Sequence, residues 1–248
     1  ENNILLDLKA SAEAGKPSTL PDLTIATAGR GAAEVFLNIG KALDRENGQQ
    51  FARIYMQLAH TLAPKSDNIL LELAGQFDKN SMLVRANDLF SQIQEGSPHH
   101  RIAKLETALN LDELGDLEPA RKVLDELIAT GPDDLITHLS YSAVLARHEK
   151  YDAAITVLSG IVDRIDAPKR YHWNLYYRLG IAYERTKRWP LAEAAFTKAL
   201  ELYPDQPSVL NYLGYSWVDM NINLQEGLDM IRKAVELPPD VKPSMRAP

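Results

Sequence analysis

The chain has 248 residues, 45% of them hydrophobic and 25% charged, enough for one or two ordinary domains or for a single array of repeats. Against 34 Asp and Glu stand only 27 Lys and Arg, a net charge of −7, which argues against the clustered cationic surface of a general nucleic-acid binder. Cysteine is absent, which excludes disulfides and thiolate metal sites, and no apolar run approaches the ~18 residues of a membrane-spanning helix.

The first residues, ENNILLDLKASAEAG, read like the middle of a helix. Ile4, Leu5, Leu8 and Ala12 share one stripe over 4–14, and no secretion signal is visible, so a piece of a longer protein or a mature form is expected. Gly15 to Gly31 follows, with Pro17, Pro21, Gly29 and Gly31 as breakers. It is predicted as a long loop, unusual within a compact array, that lies over one of its faces.

From residue 33 a period sets in. Small residues recur as Ala52, Ala86, Ala120, Ala154, Ala192 and Gly227, and a second small set as Gly40, Ala74, Ala108, Ser142, Gly180 and Gly214. Four residues after each member of the first set comes a bulky one: Met56, Phe90, Leu124, Leu158, Phe196 and Ile231. Prolines close the units at Pro64, Pro98, Pro132, Pro204 and Pro239, where the missing N–H ends a helix. Four positions agreeing in one register predict six helix–turn–helix units: 33–66, 67–100, 101–134, 135–172, 173–206 and 207–241. The fourth is about four residues long, in VDRIDAPKRYHWN, and the sixth carries one extra residue at Asn221–Asn223. Residues 1–32 are predicted as a partial repeat plus loop, and 242–248 as a tail.

The fifth unit, WNLYYRLGIAYERTKRWPLAEAAFTKALELYPDQ, spells the pattern most fully: Leu179, Gly180 and Tyr183 on one helix, Ala192, Phe196 and Ala199 on the next, then Pro204. It resembles the tetratricopeptide repeat (TPR), with Tyr176 in place of the usual Trp. The resemblance covers 33–241 and implies an all-α fold, a right-handed superhelical solenoid of TPR helix–turn–helix repeats. A single unit buries too little apolar surface to offset the ordering of its backbone, so neighbours must stack. GAAEVFLNIGKAL, GDLEPARKVL and LNYLGYSWVDMNINLQEGLDMIRKAVEL further resemble multi-repeat TPR proteins of alphaproteobacteria. That implies a periplasmic location, with a cytoplasmic one as the alternative, and VKPSMRAP departs from that family's continuation.

In TPR arrays the first helix of each unit lines a concave groove. By resemblance the groove residues are Leu37, Lys41, Leu71, Leu105, Leu109, Leu139, Tyr177, Ile181, Asn211 and Tyr215, with Asp44, Asp78 and Asp112 further along the same faces. Lys41 is the one cation at the positions that clamp a chaperone's C-terminal carboxylate in other TPR domains, so that clamp is not expected. The row of Leu, Ile and Tyr fits an apolar or amphipathic protein segment. Alternatively, loop 15–31, or the superhelix closing on itself, covers these residues.

Signals for chemistry are weak. His60, His99, His100, His138, His148 and His172 form no H-E-x-x-H pair and are expected to be structural. Gly15-Lys16-Pro17-Ser18 and Gly29-Arg30-Gly31 are incomplete phosphate-loop patterns, and no G-x-S-x-G elbow occurs. Asp112-Glu113 and Asp133-Asp134 are expected on solvated surface. Arg185, Lys187 and Arg188 beside Trp189 are read either as a basic-aromatic binding cluster or as a turn packed by its Trp. The function expected is therefore a non-catalytic scaffold or adaptor that binds a protein or peptide partner, without cofactor, metal or nucleic acid. The alternatives are the substrate-binding or regulatory part of a larger enzyme, or a homo-oligomer assembled through the apolar C-terminal end of the array.

Overall fold

The computed structural model describes residues 27–45 and 48–237. The expected helix at 4–14, most of the expected loop and the tail at 242–248 lie outside the described residues. Among those described, twelve α-helices and one 3₁₀ turn occur and no strand. The helices are α1 (Ala28–Arg45), α2 (Gln49–Leu62), α3 (Asp67–Lys79), α4 (Leu83–Phe90), α5 (His100–Glu113) and α6 (Leu117–Thr130). They continue as α7 (Leu135–Arg147), α8 (Tyr151–Val162), α9 (Trp173–Arg185), α10 (Trp189–Leu202), α11 (Pro207–Asp219) and α12 (Leu224–Glu236).

Successive helices pair as hairpins, and the periodic small residues explain why. Ala52, Ala86, Ala120, Ala154 and Ala192 are fully buried, as are Gly40, Ala74, Ala108 and Gly180. A β-carbon built on Gly180 would lie 2.6 Å from Phe196 Cε1, and one on Gly214 2.7 Å from the Gly227 carbonyl oxygen. These approaches leave no room for a side chain, so the glycines are steric requirements of the pairing.

The turns of the second to sixth hairpins share one construction. Ser81, Gly115, Glu149, Lys187 and Asn221 adopt positive φ of 56°, 91°, 56°, 59° and 56°. In each case the next residue's N–H reaches back to a carbonyl five residues earlier, as Met82 does to Phe77 (2.9 Å) and Lys150 to Leu145 (2.8 Å). The left-handed residue's own N–H bonds three back, as Glu149 does to Ala146 (3.0 Å). This is the Schellman closure, which satisfies the last carbonyls of the first helix. In the sixth hairpin Asn223 (φ 44°) also adopts the left-handed form, which accommodates the extra residue.

Three elements depart from expectation. The first helix begins at Ala28, so Gly29 and Gly31 lie in its first turns and not in a loop. Thr27 Oγ1 accepts from the Arg30 N–H (3.1 Å), a cap that starts the helix despite the glycines. Helix α4 stops at Phe90, after which Gln92 and Ile93 form tightened three-back bonds and Ser91 and Gln92 side chains donate to the Asp88 carbonyl. The long segment after α8 holds the 3₁₀ turn Arg170–His172, and the Arg170 guanidinium lies 3.9 Å from the centroid of the Tyr203 ring.

The chain divides into two compact units, residues 1–103 and 104–248, each with its own core. In the first, Leu37, Met56, Ile69, Leu70 and Leu73 form the centre. In the second, Leu124, Leu145, Leu158, Leu175, Phe196 and Leu213 do.

Candidate functional site

The side chains expected along the groove are not equally available. Leu37 is 1% exposed and Leu105 7%, so both belong to the cores and neither offers a surface. Leu71 is half-buried and packs against the core of the first unit. Leu109, Leu139, Tyr177 and Ile181 are half-buried against the core of the second. Lys41 is ion-paired with Glu72 on the next hairpin and is not a free cation. Only Asn211 and Tyr215 are exposed, Tyr215 at 64%.

The acids at the ends of the first helices also have other work. Asp44 binds the Lys79 Nζ at 2.7 Å. Its carboxyl sits below the ordinary Asp value: burial raises it, and hydrogen bonds from Lys79 and Gln76 more than offset that. Asp112 was expected on solvated surface, yet its carboxylate is fully buried and holds Arg147 and His148 of the next hairpin, the latter at 2.6 Å. Asp152 holds Arg188 at 2.5 Å, and Asp133 holds Arg164 at 2.6 Å. Asp134 caps α7, accepting from the Ile136 N–H at 3.0 Å and from the Thr137 hydroxyl at 2.7 Å. The first pairs join residues 35 or 36 apart, one repeat plus a step. A scan for opposite charges at that separation finds them in the sequence.

The basic-aromatic cluster is partly consumed in the same way. Arg188 is paired with Asp152, and the Arg185 guanidinium lies 5.7 Å from the centroid of the Tyr151 ring. Lys187 is the left-handed residue of its turn. The histidines serve structure where their contacts are seen: His138 Nδ1 meets the Asp134 carbonyl at 2.8 Å, and His172 Nδ1 accepts from the Lys169 N–H at 2.9 Å. That acceptance requires the neutral ring, and burial with the nearby Lys169 charge holds the His172 pKa below its ordinary value. Among the described residues no group of three or more His, Asp or Glu has metal-binding geometry. None of their helices is long and apolar enough to cross a membrane.

One open concavity, of about 290 Å³, lies in the second unit between the α9–α10 turn and α11. Glu184, Arg185 and Trp189 form one wall; Asn211, Tyr212, Tyr215, Ser216, Asp219 and Met220 form the other. Tyr212 donates its hydroxyl to Glu184 Oε2 at 3.0 Å, and burial beside that carboxylate raises its pKa far above the ordinary value. The bond fixes both side chains in place. Trp189 Nε1 is buried with no acceptor among the described residues. Nearby, Trp217 Nε1 donates to Glu193 at 2.6 Å and ties α11 to α10. The concavity thus combines a rigid floor, aromatic edges, two acids and one guanidinium. Asn211 and Tyr215 are the two expected groove residues that the structure brings together here. Trp189, Asp219 and Met220 lie outside the expected groove positions, and only the packing of consecutive hairpins reveals them.

Known proteins agree with this architecture. A sequence model of the tetratricopeptide repeat matches residues 173–206, and a second matches residues 105–169. No curated protein matches the sequence. Among solved structures, a chain of the APC/C hetero-tetramer Cut9–Hcn1 superposes with a TM-score of 0.59 at 16% identity, over 96% of this chain. This chain spans 43% of that one's length. YrrB, described as a TPR protein with an unusual peptide-binding site, gives 0.53 at 18% identity over 75% of this chain and 97% of its own. MamA from AMB-1 gives 0.51 at 21% identity over 69% of this chain and 91% of its own. With its all-α hairpins, its small-residue contacts and these matches, the chain has the fold of a tetratricopeptide repeat solenoid, and residues 105–169 and 173–206 match that repeat in sequence.

Proposed function

We propose that this chain is a non-catalytic scaffold that holds a segment of a protein partner at the concavity between the α9–α10 turn and α11. The observation that carries the reading is Tyr215, a large aromatic left 64% exposed at the lip of a pocket whose floor is locked by the Tyr212–Glu184 bond. Exposed aromatics beside a rigid pocket are the usual anchors of peptide recognition. TPR repeats are modules of protein–protein interaction, and the peptide-binding site named for YrrB supports carrying that role to this fold. Glu184 and Asp219 outnumber Arg185, and Arg185 already faces Tyr151. The partner segment therefore presents a basic side chain whose aliphatic stem packs on Tyr215. The reading replaces the expected long apolar groove with one amphipathic pocket.

The test is selection of displayed random peptides on the chain, followed by titration of the selected peptides. Tyr215→Ala is expected to weaken binding by about tenfold or more, the usual scale for an aromatic anchor, with unchanged helicity. Selected peptides should be enriched in Lys or Arg. Undiminished affinity in Tyr215→Ala and in Asp219→Asn would remove this pocket as the binding site.

A further inference from the structure

Arg178, on α9, is a cation without a counter-ion. Three other arginines of the second unit show the usual arrangement: Arg147 holds Asp112, Arg164 holds Asp133 and Arg188 holds Asp152. Among the described residues Arg178 makes a single hydrogen bond, from Nε to Asn174 Oδ1 at 3.2 Å, one turn back on its own helix. The two terminal nitrogens of the guanidinium meet no acceptor there. The side chain is half-buried, and burial holds its pKa below the ordinary value while the group stays charged at neutral pH. A charge withdrawn from water is unfavourable until an opposite charge meets it.

Arg178 helps to line a cavity of about 60 Å³ between α9 and the hairpin before it. Ala146, Ala154, Leu158 and Ile181 give the cavity apolar walls, and no carboxylate lines it. At about 30 Å³ for each water, the space holds two water-sized oxygens. A carboxylate has that size, and its two oxygens match the paired N–H donors of a guanidinium. The apolar walls suit a short aliphatic stem behind the carboxylate. A phosphate, with four oxygens and no such stem, fits the space less well. We infer that Arg178 and this cavity form a binding site for a small carboxylate, presented by a free carboxylic acid or by an Asp or Glu side chain of a partner. The site shares no lining residue with the concavity at Tyr215 and does not rest on the function proposed there.

The probes are propionate and the capped tripeptide Ala-Glu-Ala, each titrated into the full chain at constant ionic strength. Chloride and the capped tripeptide Ala-Gln-Ala are the controls. Backbone amide shifts of α7 to α9 report occupancy. A saturable shift with a midpoint on the order of millimolar is expected for at least one probe and for neither control. The tighter of the two probes identifies the source, a free acid or a partner's side chain. Arg178→Lys keeps the charge and loses the paired donors, so its midpoint should be about tenfold weaker or more. Ala146→Leu fills the cavity and leaves Arg178 in place, and it should remove saturation by both probes. No saturation in the parent, or an equal response to the controls, would overturn the proposal. A parent-like midpoint in Arg178→Lys would show that the guanidinium does not hold the carboxylate, and one in Ala146→Leu that the cavity is not the site; either result overturns it too.

Discussion

At the scale of the residue, the turns of the second to sixth hairpins set an unusual demand. Five hairpins place one residue at positive φ in the same position, and only one of the five is glycine. A side chain in that region costs roughly 1–2 kcal/mol, while glycine costs about 0.5–1 kcal/mol in unfolded-chain entropy. The difference favours glycine. Glu149 is exposed, and its backbone makes the closing bond to Ala146 whatever its side chain. Glu149→Gly is therefore expected to stabilise the chain by about 0.5–1 kcal/mol, read as a higher urea midpoint with an unchanged slope. Gly115→Ala should do the reverse by a similar amount. A lowered midpoint for Glu149→Gly would mean that the Glu149 side chain contributes more than its conformation costs.

At the scale of the element, the contact between paired helices depends on complementary sizes. Gly40 faces Met56 and Gly180 faces Phe196, whereas Ala108 and Ser142 stand in the hairpins that carry Leu124 and Leu158. Two hairpins depart: Ala74 with Phe90 falls at the last residue of the shortened α4, and Gly214 stands with Ile231 because the Gly227 carbonyl also crowds it. Gly180→Ala should cost about 1–3 kcal/mol, because its β-carbon meets a ring that is itself fully buried. Adding Phe196→Leu recreates the Ala–Leu combination of the third hairpin, and the double variant should recover part of the loss in a thermal melt. No recovery would mean that the obstacle to a β-carbon lies elsewhere than in the Phe196 ring. This size code explains why the hairpins were legible in the sequence: each helix contact is made within one repeat, by residues at fixed spacing. The Schellman turns were not legible, because Ser81, Glu149 and Lys187 do not announce a left-handed conformation as Gly115 does. The buried role of Asp112 was hidden for a related reason, since its partners Arg147 and His148 belong to the following repeat. The groove was misjudged at Leu37 and Leu105, because burial there is set by how consecutive hairpins pack, which the spacing within one repeat does not encode.

At the scale of the whole molecule, the chain has two cores, and stacked repeats are stabilised mainly by nearest neighbours. Losses should then stay local. Leu37 and Leu145 are both fully buried, one in each core, and neither side chain has a polar role. Truncation of either removes a well-packed aliphatic group at a cost of about 2–5 kcal/mol. Leu37→Ala is expected to raise amide exchange in α1 to α4 and leave α9 and α10 near their parent rates. Leu145→Ala should do so in α7 to α10 and spare α1 and α2. Leu37 also decides between core and groove: a groove residue could be truncated at little cost, whereas the buried position predicts a loss as large as that at Leu145. Exchange that rises throughout the chain in either variant would mean that the two cores unfold as one cooperative body, and stability would then have to be assigned to the array and not to its parts.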